Sequence, residues 1–402
     1  MLSAITYLKE MLPMTGAMAS ISLCVLILAS IKSIGIVRSY SSRTRRIIAG
    51  NSELTKFMTQ TLQPLLDQYS PTWWTNSHIQ CILMFLVRQH PVQYERDVLT
   101  LQDGGQTSLD WALESSVDMK LPLRDDSPIV IIMHGLVGCS KSMQSLCAEA
   151  ITHGYRPVVF NKRGHGGMKL ATPRLQGFGC VKDLKEAIDH VKNKFPHSKL
   201  YGIGCSAGAG LLSSYLGELG DKSLLRAGVL ISPGYNAFDL FCAGRINRIY
   251  DFLMTFTLKL FLLRHKNELQ NVVDIPRALR AMSIREFDQH VYMKMHGYAD
   301  LESYWKVNNP MRDLENLTMP ILCINALDDP VCTEEMIPYN VFQTKPNAML
   351  LTTAEGSHCA FFEGTFQLKS WCNTVAMEYL DRLQEFENLS DSGVGAATPA
   401  TA

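Results

Sequence analysis

The residues best suited to chemistry lie at Gly204-Cys205-Ser206-Ala207-Gly208, between the apolar run KLYGI and the helical-looking AGLLSSYLGEL. Two glycines around a serine at a strand-to-helix junction permit a tight, strained turn that lifts the hydroxyl off the edge of a sheet. A serine needs a base to become a nucleophile, and the base needs an orienting acid. Both types occur downstream: Asp328 in Asn325-Ala326-Leu327-Asp328-Asp329-Pro330, just past the apolar ILCIN, and His358 in Glu355-Gly356-Ser357-His358, past AMLLT. Counting three positions beyond Asn325, taken as the last glycine-like residue of its strand, favours Asp328 as the acid over its rival Asp329, which would then cap the turn before Pro330. A developing oxyanion needs donors. The backbone N–H of Leu136, in the glycine-flanked loop His134-Gly135-Leu136-Val137-Gly138, can supply one and that of Ala207 the other. His134 reads as a loop-orienting hydrogen bonder, and Arg163 and His165, in NKRGHG after PVVF, as a structural loop or a rim to the site.

These side chains must be brought together by a scaffold. The runs 129–133, 157–160, 200–204, 227–231, 321–325 and 348–351 are short, apolar and rich in β-branched residues, and they alternate with helical-period segments, the pattern of buried parallel strands in a doubly wound α/β domain. Serine, acid and histidine then all fall at the carboxyl ends of strands, where such sheets build their sites. Between residues 232 and 320 no convincing strand occurs. That stretch reads as a helical lid over about 235–319. The expected organisation is a membrane anchor with a basic flank (1–50), a helical connector (51–95), the α/β domain (96–387) and a disordered tail (388–402).

Composition agrees with a globular enzyme-sized chain. Of 402 residues, 47% are hydrophobic and 19% charged, which excludes collagen-like, coiled-coil and disordered classes. Thirty-eight basic residues balance 38 acidic ones, so no global field favours nucleic acid. The eleven cysteines are odd in number, scattered and never in a CxxC pair; they read as reduced core fillers, with no metal site and no cofactor expected.

No charged residue occurs from Met11 to Ile31, and 17–31 is almost wholly apolar, close to the ~20 residues needed to cross a bilayer. A single membrane-spanning helix is expected there, rather than a cleaved signal peptide. Lys32, Arg38, Arg43, Arg45 and Arg46 follow with no acid before Glu53, which by the positive-inside rule points the bulk of the chain to the cytosol. Two Asn-x-Ser/Thr triplets, at Asn316 and Asn388, would matter only on the opposite, luminal side.

Asp103-Gly104-Gly105, Leu109-Asp110-Trp111, HGLVG (134–138), FNKRGHGG (160–167), GCSAG (204–208), NALDDP (325–330) and GSHCAFFEG (356–364) occur in an order that resembles the membrane-anchored α/β-hydrolase-domain-containing proteins. The likeness is greatest to the group of phospholipase-like types one and three, with the acylglycerol lipase of type two as a cousin. It spans roughly residues 60–385. It implies the α/β-hydrolase fold, Ser206 as nucleophile, Asp328 as acid and His358 as base, a membrane lipid as substrate and an endomembrane location such as the endoplasmic reticulum. The resemblance also implies a type II orientation, against the flanking charges. The chain departs from the family at Ala207-Gly208-Ala209 and at Gly-Ser-His-Cys-Ala-Phe, and none of its histidines has an aspartate five positions on, as the family's acyltransferase signature requires. Hydrolysis of a carboxylic ester of a phospholipid or acylglycerol is therefore expected, the alternative being a weakly catalytic fold used as lipid sensor or scaffold.

Overall fold

The computed structural model describes residues 45–73, 75–87, 91–117, 123–365 and 367–392. The strands of the main sheet are β1 (Arg46–Ala49), β2 (Tyr94–Thr100), β3 (Gln106–Ala112), β4 (Ile129–Met133), β5 (Arg156–Asn161), β6 (Leu200–Cys205), β7 (Leu225–Ile231), β8 (Ile321–Ala326) and β9 (Ala348–Thr353). They form one nine-stranded sheet in the order β1-β9-β8-β7-β6-β4-β5-β3-β2. From β5 to β9 neighbours run parallel, while β1 pairs antiparallel with β9, and β3 with both β5 and β2. The six strands read from the sequence are all present.

Because side chains alternate across a strand, β4 sends Val130 and Ile132 to one layer and Ile129, Ile131 and Met133 to the other. The first layer is covered by α1 (Glu53–Gln68), α3 (Gln144–Thr152) and α13 (Trp371–Asp391), while α2 (Ser77–Leu86) follows α1 in the chain and adds no apolar side chain to that layer's core. The second is covered by α4 (Lys182–Lys194), α5 (Ala207–Leu219) and α12 (Tyr339–Thr344). This is the doubly wound arrangement expected.

The stretch between β7 and β8, expected as a lid, is helical: helices α6 (Arg248–Arg264), α7 (Lys266–Leu269), α8 (Ile275–Arg280), α9 (Ile284–His290), α10 (Tyr292–Met295) and α11 (Leu301–Asn308) surround a third core that includes Phe241, Leu262, Phe287, Tyr304 and Trp305.

Two boundaries differ from the sequence reading. Residues 46–49, assigned to the flank of an anchor, are the edge strand β1, and 53–68, assigned to a connector, are core. Ser52 caps α1, its hydroxyl accepting from the Thr55 N–H at 3.1 Å, and Met58, Leu62 and Leu66 are fully buried. Polar residues on the outer face of α1 gave it the look of a connector; its apolar stripe is visible as such only once α13 lies against it. The helix α13 continues through Asp391, into the range read as tail. The expected membrane helix within residues 11–31 lies outside the described residues. Among the described residues no helix is long and apolar enough to cross a membrane.

Candidate active site

Ser206 sits between the end of β6 and the start of α5 with φ +55° and ψ −118°, a conformation that costs a non-glycine residue about 1–3 kcal/mol. Its neighbours make the turn possible. A Cβ on Gly204 would collide with the Gly208 carbonyl oxygen, and one on Gly208 with the carbonyl oxygen of Met133. The Ser206 N–H donates to the Ile231 carbonyl at 2.9 Å, and Gly210 N–H donates back to the Ser206 carbonyl at 3.1 Å. The loop is thus fastened to β7 on one side and continues into a helix on the other.

The serine hydroxyl donates to His358 Nε2 at 2.7 Å, and His358 Nδ1–H donates to Asp329 Oδ2 at 2.9 Å. The structure therefore brings Ser206 and His358 together but puts Asp329, not Asp328, behind the histidine. The second oxygen of Asp329 accepts from the N–H groups of Val331 and Cys332 at 2.8 and 2.9 Å, which fixes a carboxylate with no side-chain exposure to solvent. Asp328 turns to the other arm of the histidine loop, its Oδ1 accepting from the N–H groups of Gly356 and Ser357 at 3.0 and 2.8 Å. Burial pushes its carboxyl up to about 7 despite those donors. The physical reason for the difference is one residue of strand: β8 runs to Ala326, paired with Thr353, rather than ending at Asn325. The turn begins one position later, with Asp329 N–H donating to the Ala326 carbonyl at 3.3 Å, and the acid moves with it.

The loop carrying His358 is itself held in unusual geometry. Ser357, Cys359 and Phe361 have φ of +60°, +63° and +46°, and Ser232, at +48°, accepts the Cys359 N–H on its hydroxyl at 3.0 Å. Such residues persist only where surrounding contacts over-determine them. Ser357 Oγ donates to the Ser77 carbonyl at 2.5 Å and lies 3.0 Å from Cys81 Sγ, so α2 grips this loop from outside the sheet. None of Ser232, Ser357 or Cys81 was singled out by the sequence. Their roles arise from positive φ and from a contact across 276 residues, neither of which leaves a local pattern.

Leu136 and Ala207, the expected oxyanion donors, both follow residues next to or at the nucleophile. Gly135 is close enough to the nucleophile that a Cβ there would lie 3.7 Å from Ser206 Cβ, and Ala207 opens α5, whose first-turn N–H groups have no partner within the helix.

The remaining motif residues are committed to scaffolding. Arg163 is buried and paired with Asp183 at 2.6 Å and with Asp103 at 2.8 Å, so the DGG and KRGHG segments clamp each other. Arg96 grips Asp110 with two bonds of 2.7 Å; Asp110 also accepts from Ser140 Oγ, whose backbone N–H donates to Asn161 at 3.0 Å. The rings of His134 and His165 lie tilted against each other at 4.9 Å between centroids and donate to the carbonyls of Gly135 and Gly138 respectively. Burial, with the nearby Lys162 charge, lowers His134 to about 3, and burial foremost holds His165 well below its usual range, so both are neutral spacers. His165 in turn carries the lid, its ring 4.4 Å from that of Phe261 on α6. A pocket beside the site is lined by Leu136, Lys162, His165, Phe178, Phe261 and Trp305 among others, with buried Asp288 on its lid wall.

The profile of the serine aminopeptidase S33 hydrolases matches residues 125–364, a span that includes both the Ser206 elbow and the His358 loop. The chain belongs to this family of α/β-hydrolases. It is similar to the phospholipase ABHD3 of Mus musculus (32% identical over 328 residues, 79% of each chain) and to the protein ABHD15 of Homo sapiens (31% over 322 residues, 78% of this chain and 68% of that one). It is also similar to the monoacylglycerol lipase ABHD2 of Homo sapiens (27% over 370 residues, 84% and 85%). The likeness to the α/β-hydrolase-domain-containing group is thereby established. It is a serine hydrolase by family.

Proposed function

We propose that the protein cleaves a carboxylic ester of a membrane lipid, a phospholipid or acylglycerol, and is tethered to its bilayer by the apolar segment within residues 11–31, in an endomembrane such as the endoplasmic reticulum. The observation that carries the reading is the unbroken relay from Ser206 through His358 to Asp329 beneath an apolar lid. Ser206 Oγ attacks the acyl carbonyl as His358 Nε2 takes its proton. Asp329 holds the ring with Nδ1–H toward itself, so Nε2 is free to accept, and stabilises the imidazolium. The N–H groups of Leu136 and Ala207 receive the oxyanion. His358 then protonates the departing alcohol and activates the water that releases the fatty acid.

The relatives called phospholipase and monoacylglycerol lipase support a lipid ester as substrate. So does the surface around the entrance: Trp73, Phe85 and Leu86 on or near α2 and Ile249, Phe252 and Leu263 on α6 are exposed. The two helices touch through the Tyr250 hydroxyl and His78 Nδ1, 2.7 Å apart. Apolar side chains clustered on elements that roof a site suit contact with a bilayer. A fluorophosphonate probe, followed by turnover of phospholipid and acylglycerol in vesicles, tests the reading. Covalent labelling at Ser206 with release of fatty acid is expected. An unlabelled, correctly folded protein would leave the sensor or scaffold alternative.

A further inference from the structure

The sequence offered no metal site, yet folding gathers three donors of different kinds around the base of the relay. We infer that Asp329, Cys332 and His358 form a site for a soft divalent cation, zinc by chemistry, whose binding switches the nucleophile off. One ligand atom from each lies within 4.8 Å of the other two, the one such cluster found among the described residues. Carboxylate, thiolate and imidazole are the zinc donor set, and three protein ligands with an open fourth position are the pattern of non-structural zinc sites. An ion at about 2.0–2.3 Å from each donor in tetrahedral geometry sets donor–donor separations of about 3.3–3.8 Å, so the 2.9 Å pair of His358 Nδ1 and Asp329 Oδ2 opens to admit it.

Much of the site is already built. Asp329 and Cys332 belong to one turn, closed by the Cys332 N–H donating to Asp329 Oδ1 at 2.9 Å, which leaves Oδ2 for the histidine side. Both residues are buried, at 2% and 5% exposure, so ligation needs no long side chain to be ordered first. His358 is reached from the active-site mouth. Gly234 faces the thiol, where even a Cβ would lie 3.7 Å from Sγ, so its bare backbone leaves room beside the sulfur. Charge also balances: a dication with one carboxylate and one thiolate is neutral overall, the arrangement that tolerates burial.

The exchange conserves atoms and electrons. Cys332 releases its thiol proton to solvent as Sγ binds. The proton on His358 Nδ1, which bridges to Asp329, gives way to the metal, and the neutral ring carries its one proton on Nε2 instead. Nothing is oxidised or reduced. With Nε2 protonated, His358 cannot accept the proton of Ser206, and hydrolysis stops. The inhibitory consequence rests on the proposed triad; the metal site does not.

The experiment therefore reads the two separately. Zinc is titrated into the full-length protein turning over a short soluble ester, and cobalt into the Ser206→Ala protein, whose three donors are intact. The expected results are inhibition reversed by chelator and not reproduced by magnesium, and a thiolate-to-cobalt charge-transfer absorption in Ser206→Ala. Cys332→Ala, read against its own zinc-free turnover, should raise the half-inhibitory zinc concentration at least ~100-fold and, combined with Ser206→Ala, lose the cobalt band. Should Cys332→Ala fold poorly, Cys332→Ser is used in the same assays. Inhibition unchanged in the Cys332 variants, no cobalt band, or a band with no effect of zinc on turnover overturns the inference. If instead Ser206→Ala itself turns over the ester at the parent rate, it is the triad reading that falls.

Discussion

The two loops that carry the relay and the lid above them treat their polar groups differently. On the sheet side, Asp329 spends both oxygens on three donors and Asp328 takes two more, while Ser206, Ser232, Ser357 and Cys359, all at positive φ, each have their backbone N–H bonded, to Ile231, Ile324, Asp328 and Ser232 respectively. In and against the lid, the buried Gln176 Oε1, Asp288 Oδ2 and Trp305 Nε1 make no hydrogen bond within the protein, and burial with the neighbouring Asp251 holds the Asp288 carboxyl well above the carboxylate range. An unsatisfied buried polar group costs about 1–3 kcal/mol. The contrast teaches a division of labour. The sheet end is over-determined and holds reacting atoms still; the lid is cheaper to rearrange and can adapt to a long, variable substrate.

The largest effects should come from breaking the rigid side. Ser206→Ala is expected to abolish fluorophosphonate labelling and ester turnover with circular dichroism unchanged, since a methyl fits the elbow. Turnover near the parent rate would remove Ser206 from the chemistry.

Next in size, Asp329→Asn should cut turnover on the order of 10⁴-fold by favouring the wrong histidine tautomer. Asp328→Asn should cost less than ~10-fold, because an amide oxygen still accepts from Gly356 and Ser357 and ordinary loop substitutions act through position alone. Steady-state kinetics on a soluble ester decides between the two neighbours, and a reversed order would return the acid to Asp328.

The lid should respond by substrate rather than by rate. Leu263 is exposed and Leu260 partly so, whereas Leu258, Phe261 and Leu262 face the lid core. Changing Leu260 and Leu263 to Asp is expected to reduce activity on long-chain lipid in vesicles by ~10-fold or more, as charges resist insertion into the interface, while a short soluble ester keeps most of its turnover. Proportional losses on both would make the helix core and not entrance.

A smaller effect should separate the anchor from the fold. A chain lacking residues 1–44 should leave the membrane fraction and keep its activity on the short ester. Removing 45–50 as well deletes β1, four residues paired with β9, and should lower the thermal midpoint by several degrees. Equal stability of the two truncations would make β1 dispensable.

The smallest effect is electrostatic. Asp328 is raised to about 7, against about 3.9 for an unperturbed aspartate. The fold therefore disfavours its ionised form: the contribution of this group to stability is complete below about pH 4 and is lost as pH rises through about 7. Asp328→Asn cannot ionise, so its advantage in thermal or urea unfolding over the parent should grow between pH 4 and 7 and then level off. An advantage independent of pH would point to packing instead.

The doubly wound sheet, the lid and the pairing of Ser206 with His358 were legible in the sequence because each rests on a local signal: an apolar strand of one period, a glycine-flanked turn, a histidine at a strand end. Three things were not legible. The acid depended on whether β8 ended at Asn325 or Ala326, a single backbone pairing with Thr353 that no composition reports. The place of residues 46–68 depended on a sheet edge about 300 positions away, since an amphipathic helix looks like a connector until the surface that covers its apolar stripe is known. The meeting of Asp329, Cys332 and His358 depended on two loops converging. Sequence determines what each element can do locally, because propensity and periodicity are short-range; which neighbouring carboxylate faces the histidine is decided only by tertiary structure, because one residue of register reverses the direction in which a side chain points.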